Sequence, residues 1–369
     1  MILILTQCFP SRIGGIENLM FNLCYYLGKN NKVIVFADQH DVIRDSIFDN
    51  KYKNNFLVRR FSGIKFFRKR NKIKELEEII SLNKVKAIIC DSWKSFEIPS
   101  KKLKFKNIPS ICLIHGNEII IKNKNHHKRI KNTLKNVDKI VSNSEYTKNL
   151  LKKISLDFNN VEIIYPGVSS FENIKEKEIK LSDGKPTLLT LARLEKRKGH
   201  QKILHTLKEL KSQYPNIRYI VAGDGEEKNN LKSLANKLGI SENVFFIGSV
   251  SNSQKKYILS ITDLMIMPTL DETNKLSIEG FGIAYIEAAL FGIPSIASNV
   301  GGTREAVIHN ETGLVLENLN ELESSIRDLI TDKDKRKLYG QNAKKRALNE
   351  LHWDIQVKKY INLISQLSK

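Results

Sequence analysis

Glu279-Gly280-Phe281-Gly282-Ile283-Ala284-Tyr285-Ile286-Glu287-Ala288-Ala289, followed by Gly292-Ile293-Pro294 and the apolar run Ser295–Ala297, carries the fold of this chain in one segment. With the apolar run Leu264–Met267 upstream, it reads as strand, glycine turn, helix, turn, strand, which is a βαβ unit of a parallel sheet. Gly282 lets the backbone come close to a ligand where the helix begins. The amides of Gly282 and Ile283 then face outward, and the helix dipole adds about half a positive charge, a setting for a diphosphate. Glu287 falls on the apolar helix between Ile286 and Ala288. A carboxylate there is costly to bury unless it binds something. Ribose hydroxyls would serve, and an ion pair or helix-dipole role is the structural alternative.

Outward from this segment, short apolar runs alternate with helical patterns along the whole chain. In the first half the predicted strands are Ile2–Leu5, Lys32–Phe36, Ala87–Cys90, Ser110–Ile114, Lys139–Ser142 and Val161–Ile164. In the second they are Thr187–Thr190, Tyr219–Ala222, Val244–Ile247, Leu264–Met267 and Ser295–Ala297, with Leu314–Val315 as a short edge. The polar stretch Ser169 to Lys185, ending in Asp183-Gly184-Lys185-Pro186, marks the boundary. The predicted class is α/β: two doubly wound, Rossmann-like domains, 1–168 and 183–350, facing each other across a cleft. A C-terminal helix, about 352–369, is expected to pack back on the first. Ligands in such sheets sit beyond the carboxyl ends of the strands.

Composition limits the function classes. The 369 residues are 41% hydrophobic and 27% charged, as in a globular protein, and no apolar run reaches the roughly 18 to 20 residues a membrane-spanning helix needs. The opening Met1-Ile2-Leu3-Ile4-Leu5-Thr6-Gln7 has no basic leader and reads as a buried first strand. Cys8, Cys24, Cys90 and Cys112 lie in apolar segments without a Cys-x-x-Cys pair, so they are expected to be reduced packing residues of a cytoplasmic protein. The net charge of +21 is uneven: residues 1–170 hold 31 Lys and Arg against 15 Asp and Glu, the remainder 30 against 25. Lys51 to Lys74 holds ten basic residues and no acid, interleaved with Phe56, Phe61, Phe66 and Phe67, and Lys101 to Lys135 holds another ten against Glu118 alone. An anionic membrane surface or a polyanionic acceptor suits such a face. Compositional bias is the other reading; it does not account for the difference between the halves.

Three further constellations point to chemistry. Pro10-Ser11-Arg12-Ile13-Gly14-Gly15-Ile16-Glu17 lies between the first strand and a helix, where Gly14 and Gly15 could aim amides at a phosphate, although tight turns also use such pairs. It lacks the Gly-x-Gly-x-x-Gly pattern of a dinucleotide site. In Leu191-Ala192-Arg193-Leu194-Glu195-Lys196-Arg197-Lys198-Gly199, Arg193 and Lys198 follow a strand and could grip a diphosphate; in isolation a solvated charge run reads equally well. His115 ends the apolar run Ile111–Ile114 and precedes Gly116, an active-site position. The remaining histidines show no metal spacing. Asp332-Lys333-Asp334 starts a Lys-rich helix rather than flanking a strand and is rejected as a metal site.

Glu279 and Glu287, separated by seven residues within Glu-Gly-Phe-Gly-Ile-Ala-Tyr-Ile-Glu-Ala, resemble the retaining family 4 glycosyltransferases of GT-B fold. Gly14-Gly15-Ile16-Glu17, His115-Gly116-Asn117-Glu118, Ser142–Thr147, Tyr165-Pro166-Gly167-Val168, the Arg193/Lys198 pair, Ala222-Gly223-Asp224-Gly225 and Gly301–Val307 fall in the family's order. The resemblance implies that Arg193 and Lys198 hold a donor diphosphate and Glu287 the ribose. By the same likeness Glu279, with Phe281, Gly282 and Ile283, holds the transferred sugar, His115 meets the sugar from the first domain, Gly14 and Gly15 cover the phosphates, and Gly223 lines the donor site. Two departures stand out. Ala192 replaces the usual glycine before the arginine, and the polar stretch Leu270 to Lys275 is variable, leaving the sugar open.

The resemblance implies hexosyl transfer from a GDP- or UDP-linked donor to a glycan or lipid-linked acceptor, with retention, without a cofactor or metal. Such an enzyme would be peripheral on the inner face of the plasma membrane. No residue stands out as a covalent nucleophile, which favours front-face attack, and without a metal the cations and helix amides must neutralise the leaving group. A nucleotide-sugar epimerase or a phosphorylase on the same fold is the alternative. Nucleic acid is not an expected partner, because no binding motif accompanies the basic charge.

Overall fold

The apolar runs pair into two sheets, all of whose ladders are parallel. The computed structural model describes residues 1–102, 105, 107–153, 159–272 and 277–368, and the chain divides into two units, Met1–Gly167 with Trp353–Lys369, and Val168–His352.

Unit 1 begins β1 (Ile2–Leu5), α1 (Gly15–Gly28), β2 (Val33–Asp38), α2 (Val42–Tyr52), β3 (Leu57–Phe61) and α3 (Lys65–Leu82). It continues β4 (Ala87–Cys90), α4 (Trp93–Phe96), β5 (Ser110–Ile114), α5 (Lys124–Leu134), β6 (Lys139–Ser142), α6 (Glu145–Lys153) and β7 (Val161–Ile163). The strand order is β3-β2-β1-β4-β5-β6-β7, so the order reverses between β1 and β4. Leu5 lies level with Phe36 and Cys90, and the segments after these three strands emerge at one edge of the sheet. Buried Val, Ile and Leu on both faces, with no polar alternation, are what a sheet covered by helices on each side requires.

Unit 2 runs β8 (Thr187–Leu191), α7 (His200–Leu210), β9 (Arg218–Ala222), α8 (Lys228–Lys237), β10 (Val244–Gly248), α9 (Asn252–Ser260) and β11 (Leu264–Met267). It ends with α10 (Ile283–Leu290), β12 (Ser295–Ser298), α11 (Thr303–Ala306), β13 (Gly313–Leu316), α12 (Leu322–Thr331) and α13 (Lys333–Asn349). The order β10-β9-β8-β11-β12-β13 reverses between β8 and β11. The last helix, α14 (Trp353–Leu367), belongs to unit 1. Trp353 is buried there, stacked on Tyr26 of α1 at 6.0 Å, and its ring leaves no room for a side chain at Gly167.

Two details differ from the sequence reading. β3 is absent from the predicted strands because Leu-Val-Arg-Arg-Phe looks polar. It is an edge strand that keeps Arg60 half-hidden, bidentate on Asp49 with Nε at 3.0 Å and Nη2 at 2.8 Å. The charged link 169–185 lies with unit 2, held by the amide of Lys177 on the Ser253 carbonyl (3.1 Å) and by Lys256 and Arg218 on the carbonyls of Ile174 and Ser182. The four cysteines are free, three of them buried. Among the described residues no helix is long and apolar enough to cross a membrane.

Candidate functional site

In unit 2 the segments after β8 and β11, the two strands flanking the reversal, meet at the place where ligands bind in open α/β sheets. The chain leaves β8 through Ala192 and Arg193, makes a short 3₁₀ turn at Lys196–Lys198, and enters α7 through Gly199 in the left-handed region (φ 74°). A Cβ at Gly199 would come within 2.1 Å of the Pro268 carbonyl, so only glycine allows this turn to press against the segment after β11. The Leu270 amide closes the contact on the Arg197 carbonyl at 2.7 Å. The turn thereby buries Arg197 and Lys198, two cations the fold must compensate.

Glu279 compensates them. Arg197 Nη1 donates to its Oε2 at 2.8 Å, and Lys198 Nζ pairs with the same oxygen. Arg197 also lies 3.8 Å from Glu195, which pairs with Arg193 at 2.5 Å. The five side chains form a row of three cations and two carboxylates, with one surplus positive charge. Burial lowers the Lys198 pKa, and the positive charge of Arg197 opposes protonation further, while Glu279 only partly restores it. Burial raises the carboxyl of Glu279, but Lys198 and Arg197 outweigh it and hold the group below the usual range, so it stays ionised. His200, two residues after Lys198, adds no charge: burial pushes its pKa down to about 4, and its Nδ1 sits 3.2 Å from the Tyr219 hydroxyl.

Glu279 is fixed from behind by glycines. Its carbonyl accepts the Gly302 amide at 2.9 Å, and a Cβ at Gly301 (φ 65°) would lie 2.1 Å from that carbonyl. Three residues on, Gly282 (φ 101°) starts α10 with no side-chain cap, leaving helix amides to a ligand or solvent. Phe281 is buried, and the Tyr285 ring fills the space over Gly282 while its hydroxyl donates to the Met267 carbonyl at 2.6 Å. Glu287, one turn further, is buried with Oε1 taken by Lys255 at 2.8 Å.

Lys198, Glu279 and the start of α10 at Gly282 and Ile283 thus come together around one loop. Arg193 does not touch Lys198: it is mostly exposed, beside Glu195, on the rim of a concavity shared with Arg197, Glu226, Glu272 and Ser277. Gly223 follows β9 and packs on the chain after β8, where a Cβ would lie 1.8 Å from the Ala192 carbonyl. Its amide is already bound to the Gly248 carbonyl at 2.8 Å. Sequence reading missed Arg197 and Lys255. A turn ending at a glycine offered a signal for the first, since it could bury either cation; Lys255 on α9 had none. Of the variable approach Leu270 to Lys275, residues 273–275 lie outside the described residues.

In unit 1, His115 follows β5, its ring Nε2 donating to the Asp91 carbonyl at 2.8 Å and its amide to Glu118 Oε1 at 2.7 Å. Gly14 and Gly15 open α1. Gly14 has extended backbone, and the buried Glu17 carboxylate occupies the space a Cβ would need there. Glu17 pairs with Arg12 at 2.9 Å. The aromatics of the basic stretch divide: Phe56 and Phe61 are core residues, whereas Phe66 and Phe67 are exposed. Asp332, of the rejected Asp-x-Asp, caps α13 by accepting the Lys335 amide.

Two parallel, doubly wound units, one with buried cations and an uncapped helix start at its switch point, define the GT-B class of α/β protein. The family model described as "Glycosyltransferase Family 4" matches residues 13–170, and the one described as "Glycosyl transferases group 1" matches residues 171–346. The chain belongs to this glycosyltransferase family. It is 28% identical over 172 residues to a GDP-mannose-dependent alpha-(1-6)-phosphatidylinositol monomannoside mannosyltransferase of Mycobacterium tuberculosis, covering 46% of this chain and 45% of that one. The chain thus spans about half the length of that relative. An uncharacterised glycosyltransferase of Methanocaldococcus jannaschii is 26% identical over 96% of this chain and 95% of its own. The crystal structure of Anabaena HepE in complex with UDP-glucose superposes with a TM-score of 0.79 at 17% identity, covering 99% of each chain, a likeness of fold.

Proposed function

We propose that this chain transfers a hexose from a GDP- or UDP-linked donor to a glycan or lipid-linked acceptor in cell-surface polysaccharide or glycolipid synthesis, with retention. The observation that carries the reading is the pair of buried cations on Glu279 beside the uncapped start of α10. Buried cations beside free amides suit a departing diphosphate, because preorganised charge in a dry site needs no reorganisation as the bond breaks. Arg193, at the exposed end of the row, can reach out to the phosphates. In this reading the bond from the anomeric carbon to the diphosphate oxygen breaks and an acceptor oxygen takes its place on the same face. The acceptor proton passes to the departing diphosphate. Glu287 holds the ribose with Lys255 steadying it, Glu279 and the Phe281–Ile283 backbone hold the sugar, and His115 and the Gly14-Gly15 turn act from unit 1. The named mannosyltransferase relative uses GDP-mannose and HepE binds UDP-glucose, which supports a hexose donor without choosing the base.

Thermal melts with a panel of nucleotide sugars test this, since a donor bound at a hundred times its Kd stabilises by about 2.7 kcal/mol. One donor is expected to raise the melting temperature and to be turned over with an acceptor extract, with EDTA leaving the rate unchanged. Conversion of a nucleotide sugar with no acceptor present would replace this reading by the epimerase. The protein is further proposed to sit on an anionic membrane surface through α3, where Ile64, Phe66 and Phe67 are exposed between Lys65, Arg68, Lys69 and Arg70. Phe66→Ser/Phe67→Ser is expected to weaken co-sedimentation with phosphatidylglycerol vesicles about tenfold or more, from apolar area lost to the interface. Equal sedimentation of wild type and variant would remove the membrane role of this helix.

A further inference from the structure

Unit 1 has a cup of its own at the reversal of strand order between β1 and β4. Lys65, Arg68, Lys69 and Lys72 of α3 line one side, and Lys94 and Ser95 of α4 the other. Gln7, two residues after β1, and Asp38, at the end of β2, line it as well. One carboxylate therefore faces five cations, and it is already shared: Arg68 Nη2 lies 3.1 Å and Lys72 Nζ 2.7 Å from Asp38. Lys72 also donates to the Thr6 carbonyl at 3.0 Å, which fixes it in place. Lys69 reaches Glu97 only at 4.0 Å, and Glu97 is taken by both arms of Arg129. Lys65 and Lys94 have no carboxylate partner among the described residues. Lys65 opens α3, whose start no side chain caps, so the helix dipole adds to the same potential.

The cup is rigid. Asp91, buried after β4, accepts the Gln7 amide at 2.8 Å and the Thr6 hydroxyl at 2.7 Å on one oxygen and the Ser95 hydroxyl at 2.5 Å on the other. Its carbonyl receives the His115 ring, so the wall of the cup and the histidine hang on one residue. Burial holds the ammonium groups of Lys69 and Lys72 below the usual lysine range, with Lys65 and Arg129 opposing protonation of the first and Arg68 of the second. A bound anion would relieve that crowding.

We infer that this cup binds a phosphate or diphosphate group carried by the acceptor, presenting the acceptor hydroxyl beside His115. Convergent lysines and an arginine in a preformed cup at a switch point suit a multiply charged oxyanion, and neutral glycan hydroxyls would leave the cations unpaired. The inference rests on the transferase reading and names its acceptor class.

The test uses the full chain with its donor site filled by GDP or UDP, so that the soluble probe cannot bind there. Binding is measured to vesicles of phosphatidylcholine with phosphatidic acid, to vesicles matched in charge with oleate, and to soluble glucose 1-phosphate and glucose. Wild type is expected to prefer a phosphate probe over the oleate vesicles or over glucose. Lys69→Gln/Lys94→Gln is expected to lose about tenfold or more, each charged hydrogen bond contributing to the phosphate. A response confined to phosphatidic acid assigns a lipid-borne phosphate, and one shared with glucose 1-phosphate assigns the phosphate group alone. Equal binding to phosphatidic acid and oleate vesicles together with no preference for glucose 1-phosphate over glucose, or no loss in the double variant, overturns the cup. The nucleotide-sugar thermal shift of the same proteins reads unit 2 separately, so a missing shift in wild type refutes the transferase reading whatever the phosphate probes show.

Discussion

Lys198→Ala is expected to lower transfer by about a hundredfold or more, the scale of one lost preorganised donor to a developing charge, while the melting temperature moves by about 3 °C or less. The asymmetry comes from the company Lys198 keeps. Arg197 shares Oε2 of Glu279, so alanine at 198 leaves that carboxylate neutralised at 2.8 Å. Lys198 itself is held at a cost, because burial and Arg197 displace its pKa below 10.5. Where the folded pKa is depressed, the unfolded chain binds the proton more tightly. This group's contribution to stability therefore rises with pH toward 10.5 and is lost as pH falls through the depressed value. Removing the ammonium removes that cost. A bound diphosphate does the reverse of burial: it favours the charged ammonium, so its affinity is expected to fall as pH rises through Lys198's depressed pKa, by tenfold per unit at most. The alanine variant should lose that slope. Donor titrations across pH, beside kcat/KM and melting curves, check all three. Near-normal turnover, or a collapse of the fold, would dismiss Lys198 as the charge on the leaving group.

The fold was legible because parallel strands covered on both faces read as unbroken apolar runs, and Leu264–Met267 or Ala87–Cys90 could hardly be anything else. β3 was not: its arginines look like surface, and the carboxylates of Asp45 and Asp49 with the Pro10 carbonyl make Arg60 tolerable there. The glycines of the site declared themselves as turns. Which of them face a ligand could not be read, since Gly223 and Gly301 are required by carbonyls of Ala192 and Glu279. Charge was the least legible. Arg193 and Lys198 were paired by spacing, whereas the turn at 196–198 buries Arg197 with Lys198 and sends Arg193 to the rim. Partners far apart in sequence, such as Lys255 with Glu287 or Lys72 with Asp38, leave no local pattern to read.

Glu279→Gln is expected to be the most damaging single change to unit 2. An amide of the same shape leaves two buried cations facing each other with only Glu195, 3.8 Å from Arg197 and already paired with Arg193, as counter-charge, and breaking a buried pair this way costs about 3–5 kcal/mol. The expected fall in melting temperature is on the order of 10 °C for a unit of this size. The lost charge can be restored from outside. A nucleoside diphosphate entering beside Arg197 and Lys198 replaces the missing anion, so the thermal shift it produces should be larger in the variant than in wild type. Turnover should fall all the same, because the sugar loses its carboxylate. Glu287→Gln is the companion measurement: it frees only Lys255, so it should cost less stability and show no enlarged shift. If Glu279→Gln melts with wild type, or if diphosphate stabilises it no better, then Arg197 and Lys198 are not held for an anion and the surplus charge of the row is only structural.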